Sequence, residues 1–142
     1  MEILLLAPGD EQLLVTAADL FNEVTLKPQD AASRLADPSF VIVVAMDGSG
    51  EMMGRIYGHV LNRVDVTDLF LYEVDVSDKY QRRGAATAML ERLKALCAER
   101  GYGEMFVLTE VSNDAGNGLY AAAGGVTEGS PANVYVFATP IA

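Results

Sequence analysis

A stretch near the middle of the chain has the residue types needed to hold a phosphate. Val76-Ser77-Asp78-Lys79-Tyr80-Gln81-Arg82-Arg83-Gly84-Ala85-Ala86-Thr87 runs from the end of an apolar strand pattern, through a short polar loop, into a helical pattern. The first amides of a helix lack intrahelical partners and carry partial positive charge. They suit a phosphate or a pyrophosphate. Gly84 and Ala86 are small enough to let an anion reach the backbone, and Arg82 and Arg83 add two mobile cations. A helix can equally start on glycine and alanine with no ligand, and arginines can simply solvate a loop. The hexapeptide Gln81–Ala86 alone leaves both explanations open. It matches neither a Walker loop, since no Gly-Lys-Ser/Thr occurs, nor a dinucleotide Gly-x-Gly-x-x-Gly loop.

The strand just before it holds a second candidate. Side chains alternate along a strand, so regular alternation over Leu69–Val76 puts Leu69, Leu71, Glu73 and Asp75 on one face. Phe70, Tyr72, Val74 and Val76 then share the other. Two carboxylates about 7 Å apart on an apolar face could accept a proton or hold a cation. The alternative is that they line an exposed face or pair with an arginine.

Several elements must position these groups. Glu2–Leu6 reads as a strand. Asp10 then precedes a helix through about Val24, with Leu13, Leu14, Ala17, Leu20, Phe21 and Val24 at helical spacing. A short helix over Pro28–Leu35 follows. Phe40–Met46 and Glu51–Asn62 read as a hairpin across Asp47-Gly48-Ser49-Gly50. After Leu69–Val76 comes the clearest helix, with Ala86, Met89, Leu90, Leu93, Leu96 and Cys97 on one face and Gly101 just past its end. A strand over Glu104–Thr109, a helix over Asp114–Ala123 and a last strand over Val134–Ala138 complete the order. The expectation is one α/β (α+β) layered domain over residues 1–142.

The 142 residues carry 20 acidic groups against 10 Lys plus Arg, a formal net charge of −10. That balance disfavours a nucleic-acid partner and is compatible with a cationic one, although the acid can also serve solubility alone. The short apolar start has no basic flank, and no apolar run approaches the roughly 20 residues of a membrane span. One cysteine suits a reducing compartment, so cytoplasmic localisation without membrane partners is expected. Cys97 reads as core, and the lone His59 has no second histidine to share a metal. No metal is expected.

Gln81-Arg82-Arg83-Gly84-Ala85-Ala86 resembles the Gln/Arg-x-x-Gly-x-Gly/Ala motif of the GNAT N-acetyltransferase superfamily. Tyr72-Glu73-Val74-Asp75-Val76 is similar to that family's fourth strand, and Asn113–Gly124 with Leu119-Tyr120 resembles its Asn…Leu-Tyr-x-x-x-Gly element. The order of elements agrees along nearly the whole chain. Within the superfamily, Tyr72–Ser77, Arg82–Ala88 and Asp19-Leu20-Phe21 resemble the aminoglycoside 3-N-acetyltransferase group. Gly125 and Gly116 depart from the pattern, where an aromatic and an alanine are usual.

The resemblance implies a GNAT fold, with a mixed, mostly antiparallel sheet of six to seven strands and about four helices. It implies acetyl-coenzyme A as co-substrate, its pyrophosphate on Gln81, Arg82, Arg83, Gly84, Ala85, Ala86 and Thr87. Its pantetheine would pair with Val74, Asp75 and Val76, assisted by Asn113, which could also simply cap a helix. It implies Glu73 as general base, acting through water, and Tyr120 as the acid that protonates the leaving thiolate. A backbone N–H near Val74 would stabilise the developing oxyanion. The acceptor is expected to be a small cationic amine, an aminoglycoside 3-amino group in first place, held by Glu73, Asp75, Glu110 and Asp114. Another amine, a protein lysine, or a non-catalytic acetyl-CoA-binding module fits the same pattern. A homodimer is the family habit.

Overall fold

The structure, a computed structural model, describes residues 1–139. Met1–Leu108 forms one compact unit, and a second begins at Thr109.

In the first unit five strands lie in the order β1-β2-β3-β4-β5. They are β1 (Glu2–Leu5), β2 (Phe40–Met46), β3 (Met52–Asn62), β4 (Thr67–Val76) and β5 (Met105–Val107). All neighbours pair antiparallel except β4 and β5, which run parallel. A parallel pair needs a crossover. Helix α3 (Ala85–Arg100) lies between these two strands in sequence, and Gly101 closes it at φ +70°.

Two layers cover the sheet. Helices α1 (Glu11–Asn22) and α2 (Pro28–Ala36) place Leu14, Ala17, Ala31 and Leu35 in a core with Ile42, Val44 and Met52. Phe40 and Tyr57 pack at its edge. The opposite face of β2 carries Val41, Val43 and Ala45, all buried. Helix α3 contacts β2, β3 and β4 and buries Ala85, Met89, Leu90, Leu93, Leu96 and Cys97. Burial also pushes the Cys97 thiol up. Each fully buried aliphatic side chain contributes about 1.5–3 kcal/mol.

The expected alternation along β4 is corrected by a register shift. Tyr57 pairs with Glu73, but Gly58 pairs with Leu71, so Tyr72 has no residue of its own opposite it. This is a β-bulge, and an extra residue reverses the facing of everything beyond it. Leu69 and Leu71 therefore share a face with Val74 and Val76, while Glu73 and Asp75 join Phe70 on the other. Burial agrees: Leu69 and Leu71 are almost fully enclosed, whereas Glu73 and Asp75 are half-buried. The carboxylates do not share the leucine face. Gly58 opposite the bulge is required by close approach, because a Cβ there would lie 2.1 Å from the Phe70 carbonyl oxygen.

The second unit contains α4 (Asp114–Ala122). The expected strand over Val134–Ala138 is absent, as residues 126–139 include neither helix nor strand. The described sheet thus has five strands rather than six to seven. Val134, Tyr135, Val136 and Phe137 have strand-favouring side chains, yet all four are about 80% exposed. β-propensity reflects fit to a paired, half-buried surface, and this segment has no ladder partner among the described residues. β5 is likewise shorter than expected, because pairing with β4 ends at Val107.

Candidate active site

The loop between β4 and α3 is held from below. Ser77 N–H donates to the Met53 carbonyl at 2.9 Å, and Asp78–Tyr80 form one 3-10 turn. The Tyr80 side chain is buried, and its one hydroxyl proton is shared between Asp47 Oδ2 at 2.5 Å and Glu51 Oε2 at 2.7 Å. Those carboxylates belong to the β2–β3 turn, so the turn latches the loop. Tyr80, followed by Ser49 and the Glu51 amide, holds the Asp47 carboxyl well below the usual range. The Asp47 and Glu51 carboxylates push the Tyr80 phenol up.

Above the latch the backbone bends sharply. Arg82 adopts φ +63° and Gly84 φ +82°, both left-handed. Glycine tolerates this freely, whereas for arginine it costs about 1–2 kcal/mol. Left-handed residues in succession with right-handed ones build anion-binding nests. The start of α3 has no side-chain cap and no acid in its first turn. The other three α-helices each carry an acid there. The Ala85, Ala86 and Thr87 amides thus lack both intrahelical and capping partners. Arg82 and Arg83 are exposed and form no salt bridge among the described residues. Gln81 is also exposed, and its Nε2 donates to Asp78 Oδ1 at 3.2 Å.

Next to this cradle the sheet opens. β4 and β5 pair only over Leu69–Leu71 and Met105–Val107, while β4 continues to Val76. Glu73, Asp75 and Ser77 turn their backbone groups toward β3, so by antiparallel alternation Val74 and Val76 turn theirs outward. That edge can take an added extended strand.

The two acids converge on a residue that the sequence reading had left aside. Arg55 of β3 has a side chain only 3% exposed, and its Nη2 reaches Glu73 Oε2 at 2.5 Å and Asp75 Oδ2 at 2.8 Å. Its Nε donates to Asp75 at 3.1 Å and its Nη1 to Asn22 Oδ1 at 2.8 Å. The guanidinium lies over the rings of Tyr57 (4.8 Å) and Phe21 (5.5 Å). Tyr57 Oη donates to Glu73 Oε1 at 2.8 Å, and Asn22 Nδ2 donates to Glu73 Oε2 at 3.2 Å. Burial first, and then the Glu73 carboxylate, push the Tyr57 phenol up. The arginine alternative is therefore the one realised. Its signal was an arginine inside the buried run Met52–Ile56 of the strand that pairs with β4. A buried arginine demands carboxylate partners.

His59 packs edge-on to Tyr57 at 6.2 Å and against Phe40 at 5.8 Å. Among the described residues no group of three or more His, Cys, Asp or Glu could hold a metal.

Glu110, Asn113, Asp114 and Tyr120 lie in the second unit. Asn113 Oδ1 accepts from the Gly116 amide at 3.0 Å and so caps α4. Its Nδ2 donates to Thr109 Oγ1 at 2.9 Å. Glu110 and Asp114 are exposed, and Tyr120 is half-buried.

A strand edge thus opens beside a helix start that carries no acid in its first turn. The acetyltransferase (GNAT) family profile matches residues 11–124, and the chain belongs to this family. The fold is the α+β GNAT fold, with four helices and a mixed sheet of five strands among the described residues. No curated protein matches the chain significantly by sequence.

Solved structures share the fold. An aminoglycoside acetyltransferase, meta-AAC0020, from an uncultured soil metagenomic sample in complex with sisomicin gives a TM-score of 0.87 at 18% identity. The match covers 97% of this chain and 96% of that one. A second aminoglycoside acetyltransferase from such a sample, HMB0005, gives 0.84 at 24% identity, covering 99% and 98%. Ribosomal-protein-alanine N-acetyltransferase from Brucella melitensis biovar Abortus 2308 gives 0.74 at 16%, covering 96% and 100%.

Proposed function

We propose that the chain is a single N-acetyltransferase domain that moves the acetyl group of acetyl-coenzyme A to a primary amine. The observation that carries this is the α3 start, open and free of acid, beside the outward edge of Val74 and Val76. The amides of Ala85–Thr87, with Arg82 and Arg83, would hold the pyrophosphate, and the β4 edge would align the pantetheine. The thioester carbon would then face the acceptor nitrogen, with a backbone N–H near Val74 stabilising the oxyanion. Glu73 would take up the acceptor's proton. Tyr120 would protonate the leaving thiolate.

The acceptor we favour is an aminoglycoside, at its 3-amino group. The net charge of −10 and the acids Glu73, Asp75, Glu110 and Asp114 suit a polycation. The two aminoglycoside acetyltransferases of similar fold point the same way. The enzyme would act in the cytoplasm as a homodimer. The test is release of free thiol from acetyl-coenzyme A across an amine panel including gentamicin and sisomicin, with calorimetry on coenzyme A. Turnover of the two aminoglycosides supports the reading. Absence of release with every amine overturns catalysis, and absence of coenzyme A binding overturns the site.

One observation favours a second reading, a non-catalytic acetyl-CoA-binding module. The Glu73 carboxylate already accepts hydrogen bonds from Arg55, Tyr57 and Asn22. Glu73→Gln and Tyr120→Phe separate the two, since an enzyme loses turnover while keeping cofactor affinity and a module is indifferent to both.

A further inference from the structure

Glu73 already accepts several hydrogen bonds. Its Oε2 accepts from Arg55 Nη2 at 2.5 Å and Asn22 Nδ2 at 3.2 Å, and its Oε1 accepts from Tyr57 Oη at 2.8 Å. The side chain is 32% exposed and has about four lone-pair sites, so an acceptor amine or a water would compete with these donors. Tyr57 has no such obstacle. A phenol offers one O–H donor and also accepts through its lone pairs, and the hydrogen-bond partner of Tyr57 among the described residues is Glu73.

The position of Tyr57 is fixed by its surroundings. It stands opposite Glu73 in the β3–β4 register, at the last pair before the bulge. The Arg55 guanidinium lies 4.8 Å from its ring centroid, and Phe40 and Tyr72 flank it at 5.8 and 5.7 Å. The ring is half-buried, and the bulge residue Tyr72 beside it is 59% exposed. Tyr57 is thus a polar group beside the half-buried carboxylate on the side of the exposed bulge residue.

Building on the N-acetyltransferase reading, we propose that Tyr57 is a catalytic residue that relays the acceptor's proton to Glu73. As the acceptor nitrogen bonds to the acetyl carbon, its N–H proton passes to Tyr57 Oη. In the same movement the Tyr57 proton passes along the existing 2.8 Å hydrogen bond to Glu73 Oε1. The phenol is neutral before and after, the carboxylate ends as a carboxylic acid, and the amine nitrogen ends as an amide. The C–S bond breaks as the oxyanion collapses, and the thiolate takes up a separate proton. Glu73 returns its proton to solvent between turnovers. The raised phenol fits a group that passes protons without standing as a phenolate.

The test compares wild type, Tyr57→Phe and Tyr72→Phe with gentamicin, sisomicin and the rest of the amine panel, at saturating acetyl-coenzyme A. For Tyr57→Phe the relay predicts a loss in kcat/KM of about 10²–10⁴-fold, with coenzyme A affinity within threefold of wild type. Tyr72→Phe stays within threefold in both. In mixtures of light and heavy water, wild-type kcat/KM follows a curved dependence on deuterium content, as two protons in flight require. A straight line in wild type, or a Tyr57→Phe rate within threefold, overturns the relay while leaving the acetyltransferase reading intact. Absence of thiol release with every amine overturns that reading and the relay with it. Should Tyr57→Phe not fold, 3-fluorotyrosine at position 57, a stronger acid of nearly the same shape, must change the rate. An unchanged rate overturns the proposal.

Discussion

Replacing Arg55 by methionine separates the roles of charge and packing at the centre of the site. Methionine keeps an unbranched stem against Phe21 and Tyr57 but leaves Glu73 and Asp75 without their shared cation. Both carboxylates touch the same nitrogen, at 2.5 and 2.8 Å, so their oxygens lie about 5 Å apart or closer and would repel by roughly 3 kcal/mol at an effective dielectric of about 20. In bulk water that repulsion falls to about 0.8 kcal/mol. The two side chains are 32% and 37% exposed, so the repulsion lies between these limits, about 1–2 kcal/mol. The lost charge-assisted hydrogen bonds bring the total to about 2–4 kcal/mol. Urea unfolding should show a midpoint lowered by about 1–2 M at unchanged slope. Adding Asp75→Asn to Arg55→Met removes one of the two repelling charges and should restore about 1–2 kcal/mol. A single variant that loses less than about 1 kcal/mol, or a double variant no more stable than the single, would refute the reasoning.

Arg82→Gly should leave stability unchanged or raise it by up to about 1 kcal/mol, because the left-handed backbone at this position suits glycine. Calorimetry should nevertheless show weaker coenzyme A binding, since a mobile cation is gone. Tyr80→Phe should lower stability at neutral pH by breaking the latch to Asp47 and Glu51. The lowered carboxyls of Asp47 and Glu51 contribute stability above their unfolded values, and this is lost as pH falls through the folded ones. The difference between variant and wild type, measured by urea unfolding, should therefore shrink below about pH 4. The raised Tyr80 phenol adds stability below about pH 10 that fades as pH rises, so the difference should shrink there too. Gly118→Ala should stabilise by up to about 1 kcal/mol in thermal unfolding, since a Cβ meets nothing within 4 Å. Gly116→Ala should not, because its Cβ would meet the capping Asn113 side chain at 2.5 Å.

Periodicity is enough to locate the helices and all five strands of the described residues within a few residues, because most bury a face with a regular repeat. Ala85–Arg100 is an example, with its apolar residues at three- and four-residue spacing. The strand expected over Val134–Ala138 failed because propensity says nothing about a hydrogen-bonding partner. The faces of β4 failed for a subtler reason. Alternation assumes an uninterrupted ladder, and the extra residue at Tyr72 is a property of two strands together. Only Gly58, in the middle of the partner strand, hinted at it. Arg55 was legible in principle, since a charge inside an apolar strand must be paired. Tyr57 was not, because a tyrosine in a hairpin strand has many unremarkable uses, and its partner is named only by the register.

The bulge links the two halves of the proposed chemistry. With a regular ladder, Glu73 and Asp75 would face α3 among leucines, where two carboxylates have no counter-charge among Met89, Leu90 and Leu93. The extra residue turns them onto the face of Arg55 and Tyr57. It also places Val74 and Val76 on the α3 side while their backbone groups look past the end of β5. A single inserted residue therefore sets where the acids stand and which amides a second strand could meet. Deleting Tyr72 removes only the unpaired residue and leaves Glu73 opposite Tyr57 and Asp75 opposite Arg55, so the deletion and Tyr72→Ala should both preserve the Arg55–Glu73 pairing and coenzyme A binding. A Tyr72→Ala protein that has lost coenzyme A binding in calorimetry would mean that the ring, rather than the register, organises the site.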